Sequence, residues 1–432
     1  MRTIFPSSKL LTKLLINHCR FFSSSIAIIG VISLLGCTDT RVDQTQSTSP
    51  SAVQLGPRAF YLLDQLADGT VKQQLQQCRQ GPFRQSTFSI SHRGAGLQFP
   101  EHTKEAYLAA AKMGAGVIEC DVTFTRDRQL VCRHAQCDLH RTTNILTKPE
   151  LANKCSVPFR PADAVAGTSA TALCCTSDIS LAEFETLEGK MDGINPAATT
   201  IADYMIGTPN WRTDLYSASG TLMSFADSID LFQSLGLKMT PELKAAEVPM
   251  PFLGEYTQQD YARQMVETLS RKRVNPNDVF MQSFSWPDIE YWINNHSDYA
   301  KQAVYLDGRV DNPEQLENAI ESLASLHDQG LNIVAPPLWV LLSLNAEQQI
   351  VPSAYAIAAK KAELDIITWT LERSGHITTS EDYYYRSILP AIKTEGDIYQ
   401  VLDVLNKDIG VLGVFSDWPA AVTYYANCMD LP

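Results

Sequence analysis

The stretch "SISHRGAGLQFPEHTKEAYLAAAKMGAGVIECDVTFTRDRQLVCRHA", residues 89–135, threads histidines, acids and arginines through apolar runs. Its centre, "GVIECDVTF" at 116–124, reads as a strand. Side chains alternate along a strand, so Val117, Glu119, Asp121 and Thr123 share one face and Ile118, Cys120 and Val122 the other. The next apolar run, 129–134, follows after only "RDR" at 126–128. That gap is far too short for the crossover a parallel pair requires, so the two runs form an antiparallel hairpin.

Outward from this stretch, strand-like runs recur at 87–93, 116–125, 129–134, 237–244, 278–284, 302–307, 331–335, 365–371 and 410–416. Amphipathic helical patterns such as "TKEAYLAAAKM" and "SFADSIDLFQSLG" lie between most of them. Alternation of this kind predicts βα units and a parallel sheet. With the hairpin strand set aside, eight runs remain, the count of a (β/α)8 TIM barrel. The chain of 432 residues exceeds the ordinary barrel length, and the excess is visible as an insertion at 136–220, rich in Cys, Ala, Gly, Thr and Pro. Its one clear helix start is "SLAEFETLEGK", where Ser180 and Glu183 have capping-box spacing.

In a parallel barrel, Glu119 and Asp121 point inward near the carboxyl end of their strand. Two carboxylates there repel each other unless a cation joins them, and carboxylates at i and i+2 suit a hard ion, Mg²⁺ or Ca²⁺. The bland reading, two acids on a solvated edge strand, weakens in company. "PELK" adds Glu242 and Lys244 at the end of the next barrel strand, "SHRG" adds His92 and Arg93, and the hairpin returns His134. All fall at the carboxyl-end rim, where barrel active sites sit.

The ordered set "HRG" (92–94), "PEHT" (100–103), "ECDVTFT" (119–125), "VCRH" (131–134), "PELK" (241–244), "MQSF" (281–284), "IITWT" (366–370) and "GVFSDWP" (413–419) resembles the glycerophosphodiester phosphodiesterase family. The likeness runs from about 87 to 420. It implies a TIM barrel that uses one divalent cation to hydrolyse glycerophosphodiesters to glycerol 3-phosphate and an alcohol. By motif position it implies Glu119, Asp121 and Glu242 as metal ligands and His92 and His134 as the acid–base pair. Arg93 and Lys244 then contact phosphate, and Glu101 orders the rim. Gln282 and Arg373 are placed to meet a head group. Trp369, like the other aromatics near strand ends, is either rim packing or a substrate wall. Three departures stand out: His102 replaces an amide, Arg128 stands where glycine eases the hairpin, and Ala135 replaces an acid after His134.

The amino-terminal end reads separately. Residues 1–36 carry four basic residues and no acid, then the apolar run "SIAIIGVISLLG", which has the shape of an export signal. "LLGC" resembles the lipobox of bacterial lipoproteins, which implies lipid attachment at Cys37; plain export is the alternative. A polar tract at 37–58 then tethers a barrel domain at 59–432. The chain carries −13 and residues 1–36 carry +4, which leaves −17 for the remainder. That surface repels nucleic acid, and it requires local cations wherever an anionic substrate binds.

Of the eight cysteines beyond Cys37, Cys137, Cys155, Cys174 and Cys175 crowd one loop-like region, where disulfides fit an exported chain better than zinc. Cys78 and Cys428 are placed to tie the two ends of the domain. Two further readings stay open: a phospholipase D-like or phosphoinositide-type lipase on a related barrel, and a non-catalytic surface lipoprotein. Oligomeric state is not legible in the sequence.

Overall fold

The computed structural model describes residues 53–213, 220–311, 313–378 and 383–432. Cys37, the export signal and most of the tether therefore lie outside the described residues. Nine strands form one sheet: β1 (Ser86–Ser91), β2 (Ala115–Phe124), β3 (Leu130–Cys132), β4 (Lys238–Leu243), β5 (Gln282–Ser283), β6 (Val304–Leu306), β7 (Ile333–Ala335), β8 (Asp365–Thr368) and β9 (Gly413–Ser416). Each falls within or overlaps one predicted run.

The order around the sheet is β1-β9-β8-β7-β6-β5-β4-β2-β3, and β1 also pairs with β2. Eight parallel strands thus close on themselves. Only β3 is antiparallel, pairing Val122 with Cys132 and Phe124 with Leu130 across the predicted hairpin. Its turn is made with Arg128 at φ 59°, a backbone region in which a side chain is strained and glycine is not.

The strand parity read from the sequence sorts the core into two layers. Val117 joins Ile90, Val304, Leu306, Ile333, Ala335, Ile367 and Phe415 inside the barrel. Ile118, Cys120, Val122 and Phe124 instead pack outward against the helices. Those helices begin where the sequence supplies caps: Thr103 accepts from Ala106 N–H, Ser224 from Asp227 N–H and Ser353 from Ala356 N–H. Each cap satisfies one of the amides that a helix start leaves without a partner. Among the described residues no helix is long and apolar enough to cross a membrane.

The insertion has its own small core, in which Leu139, Ile145, Leu146, Phe184 and Tyr204 are buried. Ser180 and Glu183 form the predicted capping box. Disulfides Cys137–Cys175 and Cys155–Cys174 brace this lobe, and Cys78–Cys428 joins the two ends of the domain. A fourth, Cys120–Cys132, ties β2 to β3 and was not foreseen, because the outward-facing Cys120 read simply as core.

Candidate active site

Register delivers the carboxylates. Asp121 of β2 stands opposite Glu242 of β4, Glu119 opposite Thr240, and Glu242 in turn opposite Gln282 of β5. Glu119, Asp121 and Glu242 are buried, and each offers an oxygen within 4.8 Å of the others. Three carboxylates so close and so dry are costly unless charge or donors reach them.

Donors do reach them. Lys244 Nζ lies 2.7 Å from Glu242 Oε1. Gln282 Nε2 donates to Glu119 Oε1 at 2.8 Å, and Arg93 N–H donates to Glu119 Oε2 at 2.9 Å. His102 Nε2 lies 2.9 Å from Asp121 Oδ2. Asp121 Oδ1 is buried with no hydrogen-bond partner among the described residues. Burial and the two neighbouring acids push the Glu119 carboxyl well above its ordinary value. Burial likewise raises Glu242 to about 7, against the pull of Lys244. For Asp121 burial is overcome: Lys244 and His102 hold it well below the usual carboxylate range.

Arg93 owes its place to strained backbone. Its φ is 60°, and the chain then turns through Gly94 at φ 90°, where a Cβ would lie 2.5 Å from that of Ala106. Only glycine admits this approach, which is the physical content of the "HRG" triplet. The Arg93 side chain reaches Glu101 Oε2 at 3.1 Å, and its Nε lies 3.8 Å from Asp121 Oδ2. Against burial, Arg373, Arg93 and Arg212 hold Glu101 well below its ordinary pKa.

The two predicted histidines share a cavity of about 120 Å³ with Arg93, Glu119, Glu242, Lys244, Phe284 and Trp369. His92 Nδ1 lies 2.6 Å from Asp417 Oδ1 and its Nε2 4.0 Å from Glu119 Oε2. Burial drives the His92 imidazole down to about 4 despite Asp417. His134 is held well below its ordinary value by burial and by the Arg93 and Lys244 charges.

The predicted residues from His92 to Arg373 fall at this rim, in two tiers. Trp369 lines the cavity, with its indole N–H donating to Ala335 O at 2.9 Å. Gln282 meets Glu119 instead. Arg373 stands one layer back, 3.0 Å from Glu101 and 2.6 Å from Asp417. It lines a neighbouring cavity with Trp211 and Glu372.

Three residues escaped the sequence reading as site members. Asp417 lay inside the quoted "GVFSDWP", so its motif was seen and its partner was not. His102 was seen only as a departure, whereas it bridges Asp121 and the Tyr107 hydroxyl, 3.0 Å from its Nδ1. Arg212 sits in the insertion, and no local pattern marks it.

Fold and rim together place the chain among the (β/α)8 proteins, with its charged groups gathered at the carboxyl end of the barrel where the active sites of such enzymes sit. The family can be stated more closely: the chain belongs to the glycerophosphoryl diester phosphodiesterase family, whose profile matches residues 92–420. It is an enzyme of that class, a phosphoric diester hydrolase. An extracellular protein of Arthroderma benhamiae is 51% identical over 245 residues, which cover 56% of this chain and 100% of that one. A glycerophosphodiester phosphodiesterase of Arabidopsis thaliana is 23% identical over 389 residues, 85% of this chain and 91% of its own. A crystal structure of a Silicibacter pomeroyi protein assigned to the same family matches with a TM-score of 0.52 at 18% identity. It covers 84% of this chain and 99% of that one, a likeness of fold.

Proposed function

We propose that the chain hydrolyses glycerophosphodiesters to glycerol 3-phosphate and an alcohol with the help of one divalent cation held by Glu119, Asp121 and Glu242. The observation that carries this reading is the buried cluster of three carboxylates, with Asp121 Oδ1 without a hydrogen-bond partner among the described residues, beside the cavity that both histidines line. All-oxygen donors fit a hard cation, Mg²⁺ or Ca²⁺. When bound, such an ion offsets negative charge on the phosphate and polarises its oxygens.

The chain's own residues do the rest. Arg93 and Lys244 line the cavity as fixed cations and stabilise charge growing on the phosphoryl oxygens, where little water competes. Asp417 accepts a hydrogen bond from His92 Nδ1–H, which leaves Nε2 as the atom that exchanges a proton with the reactants. One imidazole takes the proton of the attacking hydroxyl, either water or the substrate's neighbouring glycerol hydroxyl. The other returns one to the departing alkoxide. Trp369 walls one side of the cavity.

We propose further that the chain is exported. The basic-then-apolar segment at 1–36 supports this, as does the extracellular fungal relative. Lipid attachment at Cys37 and membrane tethering rest on "LLGC" alone, and that relative supports no bacterial-type anchor. Mass spectrometry of the mature amino terminus tests both points.

The activity is tested by incubating purified protein with glycerophosphocholine and with intact phosphatidylcholine, with and without EDTA, beside Glu119→Ala and His92→Ala. Glycerol 3-phosphate is expected only from the first substrate, and only in untreated wild type. Release that survives EDTA or either substitution sinks the mechanism. Cleavage of the intact lipid supports the lipase reading, and no turnover of any phosphodiester supports the scaffold.

A further inference from the structure

Among its contacts with the rim, the insertion at 136–220 sends in the consecutive side chains of Trp211 and Arg212. The Arg212 side chain is only 5% exposed. Its Nε donates to Gly96 O at 2.9 Å, and one terminal nitrogen reaches both Gly96 O and Glu101 Oε1, the latter at 3.2 Å. The other terminal nitrogen pairs with Asp192 of the insertion. The adjacent Trp211 donates its indole N–H to Arg373 O at 3.1 Å. Two consecutive residues of the insertion thus grip the loop after β1 and the loop after β8.

Glu101 is the point where these grips meet. Its carboxylate, 3% exposed, is shared among Arg93, Arg373 and Arg212. Among the described residues the Arg93 guanidinium has no other acid within 3.5 Å to set its direction, its approach to Asp121 being 3.8 Å. Where Glu101 stands therefore decides where Arg93 points. A planar guanidinium fixes several directions at once, whereas an ammonium supplies charge without that geometry.

We propose that Arg212 is a positioning residue: acting through Glu101, it aims Arg93 at the substrate phosphate and so makes the insertion part of the catalytic apparatus. This rests on the reading of Arg93 as a phosphate contact. It assigns the insertion a role that neither a disulfide-braced surface lobe nor a passive cap would have.

The test is a double-mutant cycle on the full chain, with kcat and KM measured on glycerophosphocholine and thermal midpoints recorded for every variant. Arg212→Gln is expected to lower kcat/KM about tenfold or more, mostly through kcat, as misaimed groups do. In a Glu101→Gln background the same change is expected to add less than about twofold, because both act on one unit. Arg212→Lys keeps the charge and spares a destabilised fold; its kcat is expected to match that of Arg212→Gln. A Lys variant with wild-type kcat would show that charge at a distance suffices and overturn the proposal. So would additive effects in the cycle, or a lowered thermal midpoint with unchanged kcat and KM. If wild type turns over no phosphodiester, the proposed function fails separately. The aiming of Arg93 is then read from inorganic phosphate affinity, which must fall in both Arg212 variants for the proposal to stand.

Discussion

His92 Nδ1 and Asp417 Oδ1 are 2.6 Å apart, although 325 residues separate them in the chain. β1 and β9 are neighbours, with Ser91 opposite Ser416, so the residues that follow each strand meet at the rim. The contact is buried, and Arg373 closes the far side of Asp417 at 2.6 Å. Asp417 therefore orients the His92 ring from outside the cavity that His92 lines.

Asp417→Asn keeps the shape and removes the charge. It is expected to lower kcat by between about tenfold and a thousandfold with KM changed less than about threefold, since the loss falls on proton transfer rather than binding. Steady-state kinetics on a glycerophosphodiester checks this. A variant whose KM rises while kcat holds would place His92 in binding instead.

Cation affinity is expected to follow pH. In the cation-free protein Glu242 titrates at about 7 and Glu119 well above its ordinary value, so protons occupy sites that a cation needs. Loading must release them. Mg²⁺ or Ca²⁺ affinity is expected to fall by up to about tenfold per pH unit, per proton displaced, as pH drops from 8 to 6. Calorimetry in two buffers of different ionisation heat measures the released protons; identical heats would refute the coupling.

His102 supplies a sharper test of the same centre. It is fully buried at φ 54°, and its ring spans Asp121 Oδ2 and the Tyr107 hydroxyl. Groups that hold a ligating carboxylate in place typically contribute 10–100-fold to metal affinity, about the loss expected for His102→Ala. Titration with a metallochromic competitor reads it. Unchanged affinity would mean that Asp121 is held well enough by its strand.

The fold was readable because period and spacing carry it: nine runs, one gap too short for a crossover, and parity that sent Glu119 and Asp121 inward. The first tier of the site was readable for the same reason, since strand ends in a barrel converge wherever they lie in sequence. What was not readable depends on pairings that no local pattern encodes. Cys120 and Cys132 sit 12 residues apart on facing strands, yet each alone looks like an apolar core residue. Arg212 lies in a region without periodicity, and its meaning appears only once Glu101 and Gly96 stand beside it. His102 looked like a loss of an amide, whereas its second ring nitrogen gained a tyrosine partner that a shorter side chain does not reach.

The insertion should contribute to the protein's acid sensitivity through His140. His140 is buried in that lobe, its Nδ1 accepts the Cys174 N–H at 3.4 Å, and its ring stacks on Tyr204. Burial, with the nearby charges of Arg141 and Lys190, lowers its pKa from 6.5 to about 4. The unfolded chain therefore binds a proton near pH 6.5 that the folded chain refuses until about 4. Stability from this group is fully present above 6.5, is lost progressively as pH falls toward 4, and changes no further below that. His140→Gln keeps an acceptor and cannot charge, so its thermal midpoint is expected to fall less than that of wild type between pH 7 and 4.5. Paired melting curves across that window, at fixed ionic strength, measure the difference. Parallel curves for the two proteins would show that His140 does not drive the acid limb and that the buried rim groups do.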